Sequence, residues 1–473
     1  MEFSIKGIGI IKEADIKVDG LTVIAGANNS GKTTVGRALY AVTSAAENLD
    51  AKQETDRAAA ITTRIRKILV PFSEWLGRYR NYIAHHQEIP DKFLNELLEV
   101  QYWFAEGKLD YYIDLLFRLC QSIEDASFID ILVKNTNNIM EDSENSLRNA
   151  WESNRDKLLS ECAKARAFVE SFQTQPKREF AYKLIEKTLQ VEFTSQIQSF
   201  NMIAKSQAST ISLENNQKEY YKILMEENKI LPEKSDFMEA CYDRVYFIDD
   251  PYIMEDQIAS SYFISPHSQE GYIQARIGSH REKMRRMMRD SDSDIDEGIS
   301  EAIYREKALE NVMAQINKIV PGKVTQGVYQ TSSGMKLNVG NLATGSKIFS
   351  IIKKILSSGD FTDKTLLILD EPESHLHPSW INQLAEVIVV LVKECNITVL
   401  LTTHSPNFLL AVDALMRKYD IREKCHFYQT EQDDDNYIKY VERTDCLDNI
   451  YADFAASFAE MNALRKKYMN REE

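Results

Sequence analysis

Short apolar runs separated by turns open the chain. Residues 3–11 and 14–18 alternate apolar and polar positions, the period-two pattern of strands, and together predict a hairpin. Leu21-Thr22-Val23-Ile24-Ala25 is almost wholly apolar, as a strand buried on both faces must be. A glycine-bounded loop follows, and residues 33–45 take on helical character. From about residue 48 to residue 188 the pattern shifts to Leu, Ile, Glu, Lys and Arg at helical spacing, with only Gly77 and Gly107 interrupting it. This predicts a block of antiparallel helices.

Strand character returns at Val191-Glu192-Phe193-Thr194 and at residues 209–213, 219–224 and 244–248. A second helical stretch covers 255–319, broken by the polar run Arg289-Asp290-Ser291-Asp292-Ser293-Asp294. A β-like stretch follows to residue 339, and then a helix near 346–356. Strand, helix, strand and helix next alternate to residue 415, the signature of parallel pairing. Two further strands, 425–430 and 437–442, precede a closing helix over about 450–468. The reading is one α/β domain with a mixed sheet, split by a large helical insertion. Its segments are 1–47, the insertion 48–189, strands in 190–254, a helical segment 255–320, a second lobe 321–445 and a terminal helix 446–473.

Composition narrows the class. Hydrophobic residues are 44% and charged residues 27% of 473, a globular balance. No apolar run approaches the ~20 residues of a membrane span, and Met1-Glu2-Phe3-Ser4-Ile5-Lys6 is no signal peptide. Six separated cysteines without a CxxC pair predict reduced thiols, no zinc site and a cytoplasmic protein. Lys plus Arg against Asp plus Glu give 57 − 72 = −15. An acidic surface repels phosphate, so docking to a protein is the more natural role than coating nucleic acid, although a local basic groove stays open.

Three strings carry chemistry. Gly26-Ala27-Asn28-Asn29-Ser30-Gly31-Lys32-Thr33, followed by Thr34, fits the spacing GxxxxGK[ST] between a buried strand and a helix. Its glycines let backbone N–H groups wrap phosphate, Lys32 reaches the terminal phosphates and the Thr33 hydroxyl ligates Mg²⁺. Leu366-Leu367-Ile368-Leu369-Asp370-Glu371-Pro372 delivers two acids to the end of a buried strand. Asp370 is placed to hold Mg²⁺ and Glu371 to take a proton from the water attacking the γ-phosphate. Leu400-Leu401-Thr402-Thr403-His404 ends a third strand beside the nucleotide, where His404 would bond the γ-phosphate or the water.

These strings, with the Glu373 to Pro378 continuation and Ser405-Pro406-Asn407-Phe408-Leu409, resemble the ATP-binding-cassette type of P-loop ATPase. Within that type the similarity is to the RecF-, SMC- and OLD-like branch. Asn341-Leu342-Ala343-Thr344-Gly345-Ser346-Lys347 loosely matches the branch's signature loop, with Thr344 where a serine or glycine is usual. The resemblance spans roughly 1–45 and 325–445 plus the strands of 190–250. It implies that two chains sandwich two ATPs, that Thr344 and Gly345 of one complete the site of the other, and that residues 374–378 cross the interface. A glutamine usually links the lobes. Tyr246-Phe247-Ile248-Asp249-Asp250-Pro251 stands in that region, with Gln257 the nearest glutamine. OLD-type proteins add a Toprim nuclease. Only 69 residues (473 − 404) follow His404, too few for one. The resemblance therefore implies a stand-alone ATPase that controls a separate effector, such as a nuclease, in bacterial anti-phage defence.

Two other readings compete. Arg80-Asn81-Tyr82-Ile83-Ala84-His85 has the Arg-x4-His form of HEPN ribonucleases, against a plain solvated helix. His280-Arg281-Glu282-Lys283-Met284-Arg285-Arg286-Met287-Met288-Arg289 is either a basic stripe for nucleic acid, as in a DNA-repair or chromosome-maintenance clamp, or a helix with packed methionines and salt-bridged arginines. Asp433-Asp434-Asp435 reads as a polar turn at a hairpin tip rather than a metal site.

Overall fold

The computed structural model describes residues 1–86, 91–102, 107–136, 143–201, 207–215, 218–254, 279–289, 299–325, 327–331, 333–357, 361–434 and 436–469. Strands β1 (Glu2–Ile8) and β2 (Ile11–Lys17) form the expected antiparallel hairpin, turned at Gly9 with φ +56°. β3 (Leu21–Ala25) is buried along its whole length and leads into α1 (Lys32–Ala46). After the helices comes an antiparallel group: β4 (Ser209–Asn215), β5 (Lys218–Glu226), β6 (Lys229–Ile230) and β7 (Asp236–Phe237). Next are β8 (Arg244–Ile248) and a small antiparallel meander of β9 (Lys323–Thr325), β10 (Val328–Gln330) and β11 (Lys336–Asn338). The main sheet is completed by β12 (Thr365–Asp370), β13 (Thr398–Thr403), β14 (Cys425–Gln432) and β15 (Ile438–Glu442).

Among the described residues the main sheet runs β6-β5-β4-β1-β2-β15-β14-β3-β13-β12-β8, with β7 on β5. Its β14-β3-β13-β12-β8 half is parallel, and β4 to β7 with the β1-β2 hairpin are antiparallel. β15 joins the halves, antiparallel to β14 and parallel to β2. Parallel strands buried on both faces require continuous apolar runs. Leu366 to Leu369 on β12 and Val399 to Leu401 on β13 meet this, at most 2% exposed. Parallel registry also brings the C-terminal ends of β3, β12 and β13 to one edge, where an open α/β sheet binds its ligand.

The chain divides into two compact units, one formed by residues 1–47 and the described residues from Ala181 onward, the other by 48–180. The second unit is helical: α2 (Leu49–Leu69), α3 (Ser73–His86), α4 (Lys92–Tyr102), α5 (Leu109–Glu124), α6 (Ser127–Thr136) and α7 (Ser143–Thr174). It has its own core, in which Phe72 meets Phe128 edge-on at 5.4 Å beside Leu116 and Leu119. α8 (Lys177–Glu192) returns the chain to the sheet-bearing unit. Here the expectation of a strand at 191–194 fails. Ala181, Leu184, Ile185 and Leu189 are buried at helical spacing and carry the helix through Glu192. Thr194 and Ser195 then turn with φ of 51° and 65°.

Glu192 continues in the helix and stays buried for a reason. α9 (His280–Arg289) begins with His280, whose Nδ1 lies 2.7 Å from Glu192 Oε2 and whose Nε2 lies 3.0 Å from Asp249 Oδ2 at the end of β8. The imidazole is 3% exposed and stacks on Phe247 at 4.2 Å. Burial pulls the His280 pKa down, but bonds and charge from Asp249 and Glu192 outweigh it and leave it raised. Burial likewise opposes ionisation of Asp249, yet His280 and Arg281 hold it down at about 2. Asp249 therefore stabilises the fold above its unfolded pKa, and that contribution is lost as pH falls toward 2. His280 stabilises below its unfolded value near 6.5, and its contribution is lost as pH rises through its raised folded pKa. His280→Ala leaves two buried carboxylates facing each other and should cost about 3–5 kcal/mol in urea denaturation. A cost within about 0.5 kcal/mol, the range of neutral surface changes, would refute the role of the cluster.

The remaining helices are α10 (Ile299–Ile319), α11 (Thr344–Leu356), α12 (Pro378–Cys395), α13 (Pro406–Lys418) and α14 (Asp448–Met469). Among the described residues no helix is long and apolar enough to cross a membrane.

Candidate active site

The loop after β3 is shaped to face an anion. Gly26 N donates to Thr403 O at 3.3 Å, tying the loop's start to the end of β13. Ser30 Oγ donates to Ala27 O at 2.7 Å and accepts from Thr430 Oγ1 at 2.8 Å. Asn29 and Gly31 take positive φ, 61° and 76°. A β-carbon at Gly26 would fall 1.8 Å from Thr430 Oγ1, and one at Gly31 would sit 3.2 Å from Ile11 Cγ1. Both positions therefore need glycine, the second also for its backbone conformation. Gly31 caps α1 without any side-chain bond, and the first turn holds no acid, so no side chain of the helix start competes with phosphate for the Lys32 and Thr33 amides. Asn28 and Asn29 are exposed at the tip, while Thr34 is half-buried, its amide bonded to Gly31 O at 3.0 Å.

Lys32 is buried within this loop. Its Nζ donates to Gly26 O at 3.0 Å and to Ala27 O at 2.7 Å, and lies 3.3 Å from Glu371 Oε1. Glu371 is also approached by His404, whose Nδ1 lies 3.0 Å from Oε2. Lys32, Glu371 and His404 come from three separate strings and converge on one carboxylate. Glu371 has φ 49°, a left-handed conformation uncommon outside glycine, and its amide is fixed by Thr402 O at 3.2 Å and Thr402 Oγ1 at 3.1 Å. Such local strain persists only where neighbours enforce it.

Asp370 accepts from Thr33 Oγ1 at 2.7 Å and from Thr402 Oγ1. Burial raises its pKa against the pull of these two hydroxyls. A threonine hydroxyl beside a carboxylate is a hard oxygen pair suited to Mg²⁺, which keeps waters and phosphate oxygens for its other positions. No cluster of three or more His, Cys, Asp or Glu ligands occurs among the described residues. The donor set fits Mg²⁺ shared with a nucleotide better than an ion caged by protein alone.

Beside the acids a cavity of about 250 Å³ is lined by Asp249, Arg281, Ile348, Asp370, Glu371 and His375, among others. A second, of about 540 Å³, flanks the loop on the side of Asn28, Asn29, Gln429, Glu431 and Asp453. Thr344 and Gly345 line neither. They open α11, where Thr344 Oγ1 lies 3.1 Å from Tyr252 OH and a β-carbon on Gly345 would meet Trp380 Cε3 at 2.5 Å. Tyr252 in turn meets the His375 ring edge-on at 5.7 Å, so this loop packs with residues of the 374–378 segment.

The other predicted features are occupied differently, and of them Arg281 lines the cavity beside the acids. Arg80 and His85 are exposed on α3, five positions apart and so on different faces, and His85 Nδ1 is engaged by Asn81 O at 2.7 Å. On α9, Met284 and Met288 are buried in the core. Arg281 forks onto Asp249 at 2.7–3.1 Å, Arg285 pairs with Glu282, and Lys283 bonds Val245 O at 2.9 Å and pairs with Glu47. These three cations are engaged by their own chain. Asp433 accepts from Tyr437 N at 2.9 Å in the β14-β15 turn and pairs with Lys12. Gln257 and Asp435 lie outside the described residues. Sequence reasoning missed Thr402, Thr430 and Glu373. Thr402 and Glu373 stood in the quoted strings without a role, whereas nothing near Thr430 marks it.

A search among curated proteins finds no significant match. Among solved structures, the chain is similar to the SMC head domain from Thermotoga maritima, with a TM-score of 0.32 and 9% identity over 93% of this chain and 97% of that one. It is also similar to an Smc head domain with a coiled coil and joint derived from Pyrococcus yayanosii, with a TM-score of 0.33 and 11% identity over 96% and 99%. The family model described as the AAA ATPase domain matches residues 1–409. That match runs from the first strand past His404 and takes in the phosphate loop and both acids, so the chain belongs to the AAA ATPase domain family and hydrolyses ATP.

Proposed function

We propose that this ATPase is a switch: ATP closes a homodimer or larger assembly, which then controls a separate effector protein, a nuclease, in bacterial anti-phage defence within the cytoplasm. In the proposed reaction Lys32 neutralises the terminal phosphates. Glu371 takes a proton from the attacking water as its oxygen bonds to the γ-phosphorus and the bond to the bridging oxygen of ADP breaks. His404 orients that water and Glu371. Thr33 and Asp370 would hold Mg²⁺, which when bound supplies positive charge to the phosphate oxygens. Asn28 to Thr34 bind the phosphates.

The observation that carries the dimeric reading is the position of the Thr344-Gly345 loop. It opens a helix, it packs with Tyr252 and it lines neither cavity beside its own phosphate loop. A helix start of this kind suits the γ-phosphate held by a second copy. Direct clamping of DNA finds less support, because Arg281, Lys283 and Arg285 are engaged by their own chain. An ATP-gated HEPN-like ribonuclease finds less still, with Arg80 and His85 on different faces of one helix.

Mixing two inactive variants tests composite sites. Lys32→Ala removes the phosphate lysine, and Thr344→Asp puts a carboxylate where it would repel the γ-phosphate. Each alone should be inactive. An equal mixture should regain turnover, up to about half of wild type, because a mixed dimer has one of its two sites intact while Lys32→Ala alone does not assemble around ATP. A mixture that stays inactive contradicts composite sites.

A further inference from the structure

Glu373 has none of the roles above, yet it is 3% exposed and lies two residues from the proposed base. After the left-handed turn at Glu371 the chain brings it under the end of β13. Its Oε1 accepts from Thr403 Oγ1, and its Oε2 is buried with no hydrogen-bond partner among the described residues. The same Thr403 hydroxyl accepts from Ser405 N at 2.9 Å, and Thr403 O accepts from Gly26 N at 3.3 Å. His404 is therefore the middle residue of a bridge, Ser405 N–H to Thr403 hydroxyl to Glu373, and the Thr403 carbonyl is tied separately to the phosphate loop by Gly26 N–H. Nothing else in this run of bonds requires an acid at position 373.

An ionised carboxylate with one oxygen buried and unpaired is costly. The Glu371 carboxylate, from the end of β12, adds like charge. His404, from the end of β13, offsets part of it, and Thr403 is neutral. We propose that Glu373 is a positioning residue for ATP hydrolysis, held as a neutral carboxylic acid, which sets His404 against Glu371 through the Thr403 hydroxyl. This rests on Glu371 and His404 being the hydrolytic pair. The direction of titration agrees: burial, with Glu371 adding to it, pushes the Glu373 carboxyl up to about 7.

The neutral form has an isosteric test. Glutamine keeps the carbonyl that accepts from Thr403 and places an N–H₂ where the acid carries its proton. Turnover of ATP by the full chain should be measured from about pH 6 to pH 9 for wild type, Glu373→Gln, Glu373→Ala, Thr403→Val and Glu371→Gln. Glu373→Gln should stay within about twofold of wild type at pH 6.5. Glu373→Ala and Thr403→Val should lose about tenfold to a hundredfold in kcat with KM little changed, the scale of misplacing a reacting group. Wild-type kcat should fall as pH rises past about 7, where Glu373 ionises, and Glu373→Gln should not share that fall. Wild-type kcat in Glu373→Ala or in Thr403→Val overturns the proposal, as does a glutamine variant as slow as the alanine. Thr403→Val keeps the test open if Glu373→Ala does not fold. Turnover by Glu371→Gln overturns the hydrolytic pair instead. An inactive Glu371→Gln beside a fully active Thr403→Val overturns the role of Glu373 alone.

Discussion

Glu371→Gln binds ATP and fails to turn it over. Glutamine matches glutamate in size and keeps an oxygen near Lys32, but it takes no proton from water. The carboxylate it replaces lies 3.3 Å from Lys32 Nζ and 3.0 Å from His404 Nδ1, at a backbone turn enforced by Thr402. Loss of a positioned general base lowers kcat by about 10²–10⁴. Binding should survive, because Gly26 O and Ala27 O still engage Lys32 and the loop glycines are untouched. A rapid-mixing assay with labelled ATP checks both parts. Turnover above about a tenth of wild type would move the base elsewhere.

Lys32→Ala loses the nucleotide itself. Lys32 is 4% exposed, and its Nζ is enclosed by two loop carbonyls and one carboxylate at the mouth of the phosphate loop. Hydrogen bonds to a charged group contribute about 1.5–3 kcal/mol each. Losing one or two of them to phosphate weakens ATP binding by about one to four orders of magnitude. Alanine also leaves Glu371 facing the phosphates without its lysine, which adds repulsion. Titration calorimetry should show the loss, and the rise in melting temperature that ATP with Mg²⁺ gives the wild type should vanish. An unchanged affinity would mean that the loop amides alone hold the nucleotide.

The parts legible in the sequence were those in which chemistry and secondary structure share one short string. β3 with its loop, β12 with its acids and β13 with its histidine each combine an apolar run with polar groups at its end, and parallel registry then aligns those ends. The helical unit was legible because amphipathic spacing repeats for more than a hundred residues. The expected strand at 191–194 failed for a local reason. Val191 and Phe193 favour strands, but Val191 lies on the exposed side of a helix already secured by Leu184, Ile185 and Leu189. Other features depend on partners far along the chain. Ser30 meets Thr430, and Glu192 meets His280, across 400 and 88 positions. No pattern in the neighbourhood of either residue announces such a pair. The run beginning at His280 shows both sides. Its methionines could be assigned to the core by helical spacing, whereas the engagement of Arg281 by Asp249 required β8 to end beside α9. Glu373 stood in the quoted string, but its burial and its unpaired oxygen follow from the turn at Glu371.

The switch stands or falls on whether ATP changes the assembly. The mass of the Glu371→Gln chain should be measured by sedimentation with ATP and Mg²⁺, with ADP and Mg²⁺, and beside Lys32→Ala under the same conditions. The account predicts at least a doubling of mass with ATP, no such change with ADP and none in Lys32→Ala. A mass that stays the same with ATP and ADP, in a chain shown to bind both, would contradict it.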